Sequence, residues 1–286
     1  MASRRLFGLD AYSPEEIAER VETQGVARAH LPLMPKFMLG VIGGGFIGLG
    51  AMLHVIITAD PDLNPGAARL LGSVGFAMGY VLALTGGAAV FTTNVLMIMT
   101  WAAGKISGLT LLRSWTLVLL ANVVGAVGLV VLLAYSDLPA MYDHAVAANA
   151  LHIGAAKSHE SLSVAFVHGV LGNLLICIAV WVAMAGRSVT DKMLAPLLPI
   201  ACVPLAGFEH SVGNLFYLPL AAMIHLTEPE VVAQAGIGFS GWGASRNLVA
   251  VIAGNIIGGS ALVGLAYHMI YRRAVSGLQR QSPHRA

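Results

Sequence analysis

The sequence predicts an all-α polytopic membrane protein of six transmembrane helices in two inverted halves, with helices two and five interrupted. Three observations predict it: an apolar composition, six long apolar stretches, and interruptions at matching places in the two halves. Of 286 residues, 57% are hydrophobic and 10% are charged, and mean hydropathy is +0.78. A soluble domain carries roughly 25% charged residues, so most of this surface must face something other than water. The 33 glycines suit helices that approach one another closely in lipid.

The elements follow in chain order. Residues 1–36 are polar and lack the short apolar core of a cleavable signal peptide. Ser13-Pro14-Glu15-Glu16 has the form of a capping box, with Pro14 at the first helical position. Ile17 and Val21 then share one face of a short amphipathic helix, expected at the membrane surface. A hydrocarbon core of about 30 Å needs about 20 apolar residues per helix, and such stretches run approximately over 37–59, 70–103, 112–136, 162–185, 193–225 and 246–271. The second and fifth exceed one span, and each is interrupted: one at Gly86-Gly87, the other at Pro204 and Gly207. With both termini on the cytoplasmic side, only Arg69, Lys157 and Arg246 of the 16 basic residues face outward, as the positive-inside rule demands.

The halves echo each other. Helix three carries Asn122-x-x-Gly125 and helix six Asn255-x-x-Gly258. With three spans per half, the second half enters from the opposite side, and paired broken helices then point to a central site. Three domains result: a cytoplasmic segment 1–36, a transmembrane domain 37–273 with halves of about 37–136 and 162–271, and a cytoplasmic tail 274–286.

Other signals are discounted. The net charge of +2 and the lack of a basic run imply no nucleic-acid partner. Cys177 and Cys202 sit in apolar stretches and read as small buried hydrophobes. Gly43-x-Gly45-x-x-Gly48 matches a dinucleotide fingerprint but has no strand before it, so helix packing through Gly40, Gly44 and Gly48 explains it better. His144, His152 and His159 lie in a long outer loop without metal-ligand spacing. No metal or other cofactor is expected.

Glu209-His210 is the most informative pair. Both fall inside the fifth apolar stretch, near its break, where a charged side chain costs at least ~2.5–3.5 kcal/mol. One reading is a buried pair that pins the broken helix; the other is a transport-path site, because intramembrane ionisable groups normally face a cavity. The starts of broken helices carry roughly +0.5 charge and free N–H groups that attract anions. Thr92, after the first break, either offers its hydroxyl to a passing ion or caps the second half-helix. Asn173, in span four, is interhelical glue or the partner of a site residue. Phe76 and Tyr80, one turn apart, read as a lipid-facing or core pair rather than a gate.

The segments FTTNVLMIMTWAAGKISG, GNLLICIAVWVAMAGRSVTDK, AGFEHSVGNLFYLP and GNIIGGSALVGLAYHMIY resemble the formate/nitrite transporter family, and the resemblance runs from Ser13 to about Arg273. It implies an aquaporin-like inverted repeat assembled as a homopentamer, with one path per protomer. It also implies that His210 is the family's central histidine and Asn173 the asparagine that hydrogen-bonds it. Thr92 belongs by the same likeness to the loop interrupting helix two, Phe91 to the inner constriction and Phe76 to the outer one. Glu209 and Lys157 match a pair that polarises the histidine or attracts anions. Tyr80 stands where the formate-channel subgroup has Leu at the inner constriction, and Val203 where it has Phe at the outer. The implied function is transport of a small monovalent anion with a proton across the inner membrane, with formate, nitrite, hydrosulfide, acetate and lactate all open. A passive anion channel, with the histidine as a fixed electrostatic element, and an integral-membrane enzyme are the alternatives.

Overall fold

The computed structural model describes residues 11–273; the tail 274–286 lies outside them. Eleven helical elements follow: α1 (Pro14–His30), α2 (Leu33–Ala59), α3 (Pro65–Thr85), α4 (Phe91–Ala102), α5 (Gly108–Ala134), α6 (Ala145–His159), α7 (Leu162–Ala185), α8 (Val189–Ala206), α9 (Ser211–Thr227), α10 (Pro229–Ala235) and α11 (Gly241–Arg272). Six are long and apolar enough to cross a membrane, namely α2, α3, α5, α7, α8 and α11, while α4 and α9 are shorter apolar helices. The chain is thus a multi-pass membrane protein. α3 with α4, and α8 with α9, are the two broken helices.

Packing repeats between the halves. α2 packs on α3 and α5 as α7 packs on α8 and α11. Each half-helix then reaches across, α9 against α5 and α4 against α11. Close approach is set by glycine: a methyl at Gly125 would run into the Val41 carbonyl, and one at Gly258 into the Val170 carbonyl.

The two Asn-x-x-Gly asparagines perform the same task in each half. A half-helix starting in the membrane interior has orphan N–H groups and loop carbonyls with no water to satisfy them. Asn122 accepts the Phe91 N–H at 2.8 Å and donates to the carbonyls of Gly40 (2.7 Å) and Ala89 (2.9 Å). Asn255 accepts the Ser211 N–H at 2.8 Å and donates to the carbonyls of Gly169 (2.8 Å) and Glu209 (3.2 Å). The breaker loops bond in parallel too, Ala89 N–H to the Leu39 carbonyl (3.0 Å) and Glu209 N–H to the His168 carbonyl (3.2 Å). Replacing Asn255 with Ala takes the partner from two buried backbone groups, the Ser211 N–H and the Glu209 carbonyl, at about 1–3 kcal/mol each. The expected result is a Tm several degrees lower in detergent, with Asn255→Asp, which keeps the acceptor, falling between.

One sequence expectation needs correction. The stretch holding His152 and His159 is not a loop but helix α6, packed against α9. Its buried stripe of Val146, Ala147, Ala150, Leu151, Gly154 and Ala155 is made largely of small residues, too weakly apolar to register as a span. The buried face of α1 packs on protein: Ile17, Val21 and Gly25 face α4, α7 and the end of α11. The capping box at Ser13 is formed as expected.

Polar contacts lock α1 in place. The Tyr12 ring has the guanidinium carbons of Arg20 and Arg187 each 4.0 Å from its centroid. Buried Glu22 accepts from Lys105 at 2.7 Å and from Arg272 at 3.0 Å, with His268 at 3.5 Å. These contacts put both ends of the described chain on one face of the bundle. Burial alone would push the Glu22 carboxyl up, but the bonds from Lys105 and Arg272 outweigh it and hold it below the ordinary carboxylate range. A depressed carboxyl stabilises the docked helix fully above its undocked pKa, and that contribution vanishes as pH falls through the lowered value. Protection factors of α1 amides, measured against the unprotected rate at each pH, are therefore expected to be high at neutral pH and to fall in acid, below about pH 4. Glu22→Gln should show low protection factors throughout.

Candidate functional site

The breaks create the site, and they differ in chemistry. Gly87 (φ 73°) and Gly207 (φ 77°) take the left-handed conformation that ends each first half-helix. The residues that follow are Ala88-Ala89-Val90 in one loop and Phe208-Glu209-His210 in the other. In the hydrogen-bond correspondence above, His210 occupies the position of Val90. One break is apolar and its mate is ionisable.

His210 is the N-cap of α9, and its Nδ1 accepts the Gly213 N–H at 2.9 Å. A backbone amide can only donate, so Nδ1 is unprotonated and neutral His210 carries its hydrogen on Nε2. That nitrogen lies 2.8 Å from the Tyr80 hydroxyl and 2.8 Å from Thr92 Oγ1, and the two hydroxyls bond to each other. The Phe76 ring meets the imidazole edge-on, with centroids 5.9 Å apart. Phe76 and Tyr80 are buried beside His210 rather than turned to lipid.

A cavity of about 280 Å³ leads to His210 from the face opposite the termini, lined by Phe76, Val203, Lys157 and Glu209 among others. Lys157 Nζ donates to Glu209 Oε1 at 2.6 Å, and Asn214 donates to Oε2 at 2.5 Å. The network continues outward from Asn214 to Asn247 (2.9 Å), from Asn247 to Glu160 (3.2 Å), and to His168 against Glu160 (2.9 Å). Burial and the charge of Glu209 push the Glu160 carboxyl above the ordinary range. On the terminal face, a cavity of about 90 Å³ is lined by Arg28, Lys36, Gly87 and Asn94. Tyr80, Phe91 and Thr92 are buried in the protein between these two spaces.

The structure therefore brings together His210, Thr92, Tyr80 and Phe76, with Val203, Lys157 and Glu209 around the cavity and Phe91 at the start of α4. Asn173 is different. It makes no hydrogen bond to His210; its Nδ2 donates to the Asn255 carbonyl at 2.6 Å and its Oδ1 is buried without a partner. The Asn255 carbonyl lies just before α11 widens into π-helical turns over Ile257–Leu265, and Asn173 is drawn to it. Sequence reasoning missed Asn214, Asn247, Glu160 and His168, and also His54, which meets the Tyr217 hydroxyl at 3.1 Å. Asn214, four residues beyond His210 on the same apolar helix, was the one signal that could have been read. Among the described residues no cluster of three or more His, Cys, Asp and Glu side chains could hold a metal ion.

A helical bundle whose two broken helices meet at buried polar groups, with a cavity leading in, has the architecture of a membrane transport protein rather than an enzyme. The chain belongs to the formate/nitrite transporter family, whose profile matches residues 15–269. It is 34% identical to the formate channel FocA of Escherichia coli K12 over 273 residues, covering 92% of this chain and 96% of the relative. The formate channel BtFdhC of Bacillus thuringiensis is 28% identical over 271 residues, covering 94% of this chain and 99% of the relative. A solved pentameric formate channel with formate bound is 33% identical, with a TM-score of 0.77 over 84% of this chain and 97% of its own. A solved FNT family ion channel, 23% identical with a TM-score of 0.79, shares the fold over 89% of this chain and 98% of its own.

Proposed function

We propose that this protein moves a small monovalent anion, formate, nitrite or a related weak-acid anion, across the inner membrane together with a proton, with His210 at the centre of the path. The observation that carries this is the buried His210 Nε2–H, set at the end of a cavity that also holds Lys157. A bare anion pays a large desolvation cost on leaving that cavity for a dry passage. Lys157 draws the anion in, and a proton reaches it either as His210 gives up its Nε2 hydrogen and regains one there from water on the outer side, or directly from water polarised by His210, so that the substrate crosses as the neutral acid. Thr92 and Asn173 line the path. Phe76 and Val203 form its outer constriction, and Tyr80 and Phe91 its inner one. The assembly is a homopentamer with one path per protomer, with residues 1–36 and 274–286 in the cytoplasm. The basic residues clustered on that side support the orientation.

A second reading, passive anion conduction past a permanently neutral His210, is favoured by the Gly213 N–H on Nδ1, which leaves no place for a second imidazole proton. Proteoliposomes with a clamped membrane potential and an internal pH dye separate the two. Proton-coupled uptake acidifies the lumen and ignores the potential; conduction follows the potential. Formate and nitrite flux no greater than in empty vesicles would remove both.

A further inference from the structure

We infer that Tyr80 is a specificity-determining residue, which with Thr92 and His210 makes the centre of the path a three-donor site for a small oxyanion in preference to hydrosulfide. The inference deepens the anion-transport reading and rests on it.

The case is a count of hydrogens. The Gly213 N–H on Nδ1 fixes the imidazole's one hydrogen on Nε2. Each hydroxyl brings one more, so three hydrogens meet at a triangle of Tyr80 Oη, Thr92 Oγ1 and His210 Nε2. Nε2 has no lone pair left, so only two oxygens can accept. The Nε2–H is shared between the hydroxyl oxygens at 2.8 Å each, and one hydroxyl hydrogen fills the Tyr80–Thr92 edge. The remaining hydroxyl hydrogen has no acceptor in the triangle, and neither hydroxyl has another hydrogen-bond partner among the described residues. An unspent donor in a dry site calls for an acceptor. Among the neighbouring side chains Phe76 and Phe91 are apolar, Cys177 brings only a weakly accepting sulfur, and the Glu209 carboxylate is engaged by Lys157 and Asn214.

A ligand that draws all three hydrogens to itself, in exchange for the bonds they make to one another, needs several acceptor lone pairs directed apart. A carboxylate or nitrite offers two oxygens, whereas hydrosulfide offers one sulfur, a weak acceptor. A site built to hydrogen-bond its ligand discriminates strongly against one that cannot reciprocate. Without the Tyr80 hydroxyl one hydrogen is still left over, on Thr92, but a ligand entering the triangle finds two donors to recruit instead of three, and the preference shrinks.

The test is Tyr80→Phe, which removes the hydroxyl and keeps the ring, with initial rates in proteoliposomes for formate, nitrite and hydrosulfide. Half-saturation concentrations for formate and nitrite are expected to rise about tenfold, and that for hydrosulfide by less than twofold. An equal shift for all three anions, or no shift, would overturn the inference. Should the variant not assemble, competition on the unmodified protein decides: nitrite should displace formate at a concentration about tenfold below that of hydrosulfide, and equal displacement sinks the idea. An unmodified protein that moves none of the three overturns the transport reading as well. One that transports normally while Tyr80→Phe keeps its selectivity overturns this inference alone.

Discussion

His210→Asn is expected to assemble normally yet transport roughly a hundredfold more slowly, within the range seen when a proton-transferring side chain is removed. The two ring nitrogens do different work, and asparagine separates them. Its Oδ1 is among the best N-caps and can accept the Gly213 N–H in place of Nδ1. It is too short to reach Tyr80 and Thr92 across the path as Nε2 does. His210→Ala loses both functions, and its Tm should fall as well, by the equivalent of about 1 kcal/mol. Rates against pH at fixed gradient supply the check. A full-rate asparagine variant with an unchanged pH profile would remove the imidazole from the mechanism.

Lys157→Met should give the largest loss of stability of any single change at the site. It strands the Glu209 carboxylate, 5% exposed, beside an apolar cavity with Asn214 as its one remaining hydrogen-bond donor. Breaking a buried pair from one side typically costs about 3–5 kcal/mol. The double variant Lys157→Met, Glu209→Gln has no stranded charge, so most of the lost Tm should return. Anion uptake should not, because the cation that recruits the substrate is gone. Thermal scans in detergent and uptake assays on the three proteins test both halves of this expectation. Equal Tm values for the single and double variants would show that the ion pair carries no such energy.

The fold was legible because lipid imposes length and polarity rules that a sequence cannot hide. Six apolar stretches, two of them broken at glycine, already describe the bundle, and the twin Asn-x-x-Gly motifs marked the repeat. Their chemistry was not legible, since Asn122 bonds residues 31–82 positions away and no local pattern reports such partners. Candidate site residues stood out where a polar group broke an apolar run, as at Glu209-His210 and Thr92. Glu160, Asn247 and His168 sit near helix ends, where polar residues are ordinary, so nothing set them apart. Glu22 was hidden for a similar reason: on an amphipathic helix a glutamate looks solvated until Lys105 and Arg272 are placed around it. Asn173 teaches the converse, for a family likeness named its partner and the Asn255 carbonyl took it instead.

The matched asparagine clamps also bear on speed. Each ties the first amide and the preceding loop of a half-membrane rod to the main chain of one neighbouring helix, so neither rod can pivot without exposing a bare amide to hydrocarbon. Rocking of one repeat against the other, with its microsecond-to-millisecond pace, is thereby penalised. What can move cheaply is the plug itself, a few rings and hydroxyls swinging on nanosecond rotamer hops. On the proposed path, throughput is expected to follow how fast side chains step aside, and to change little when the scaffold is stiffened.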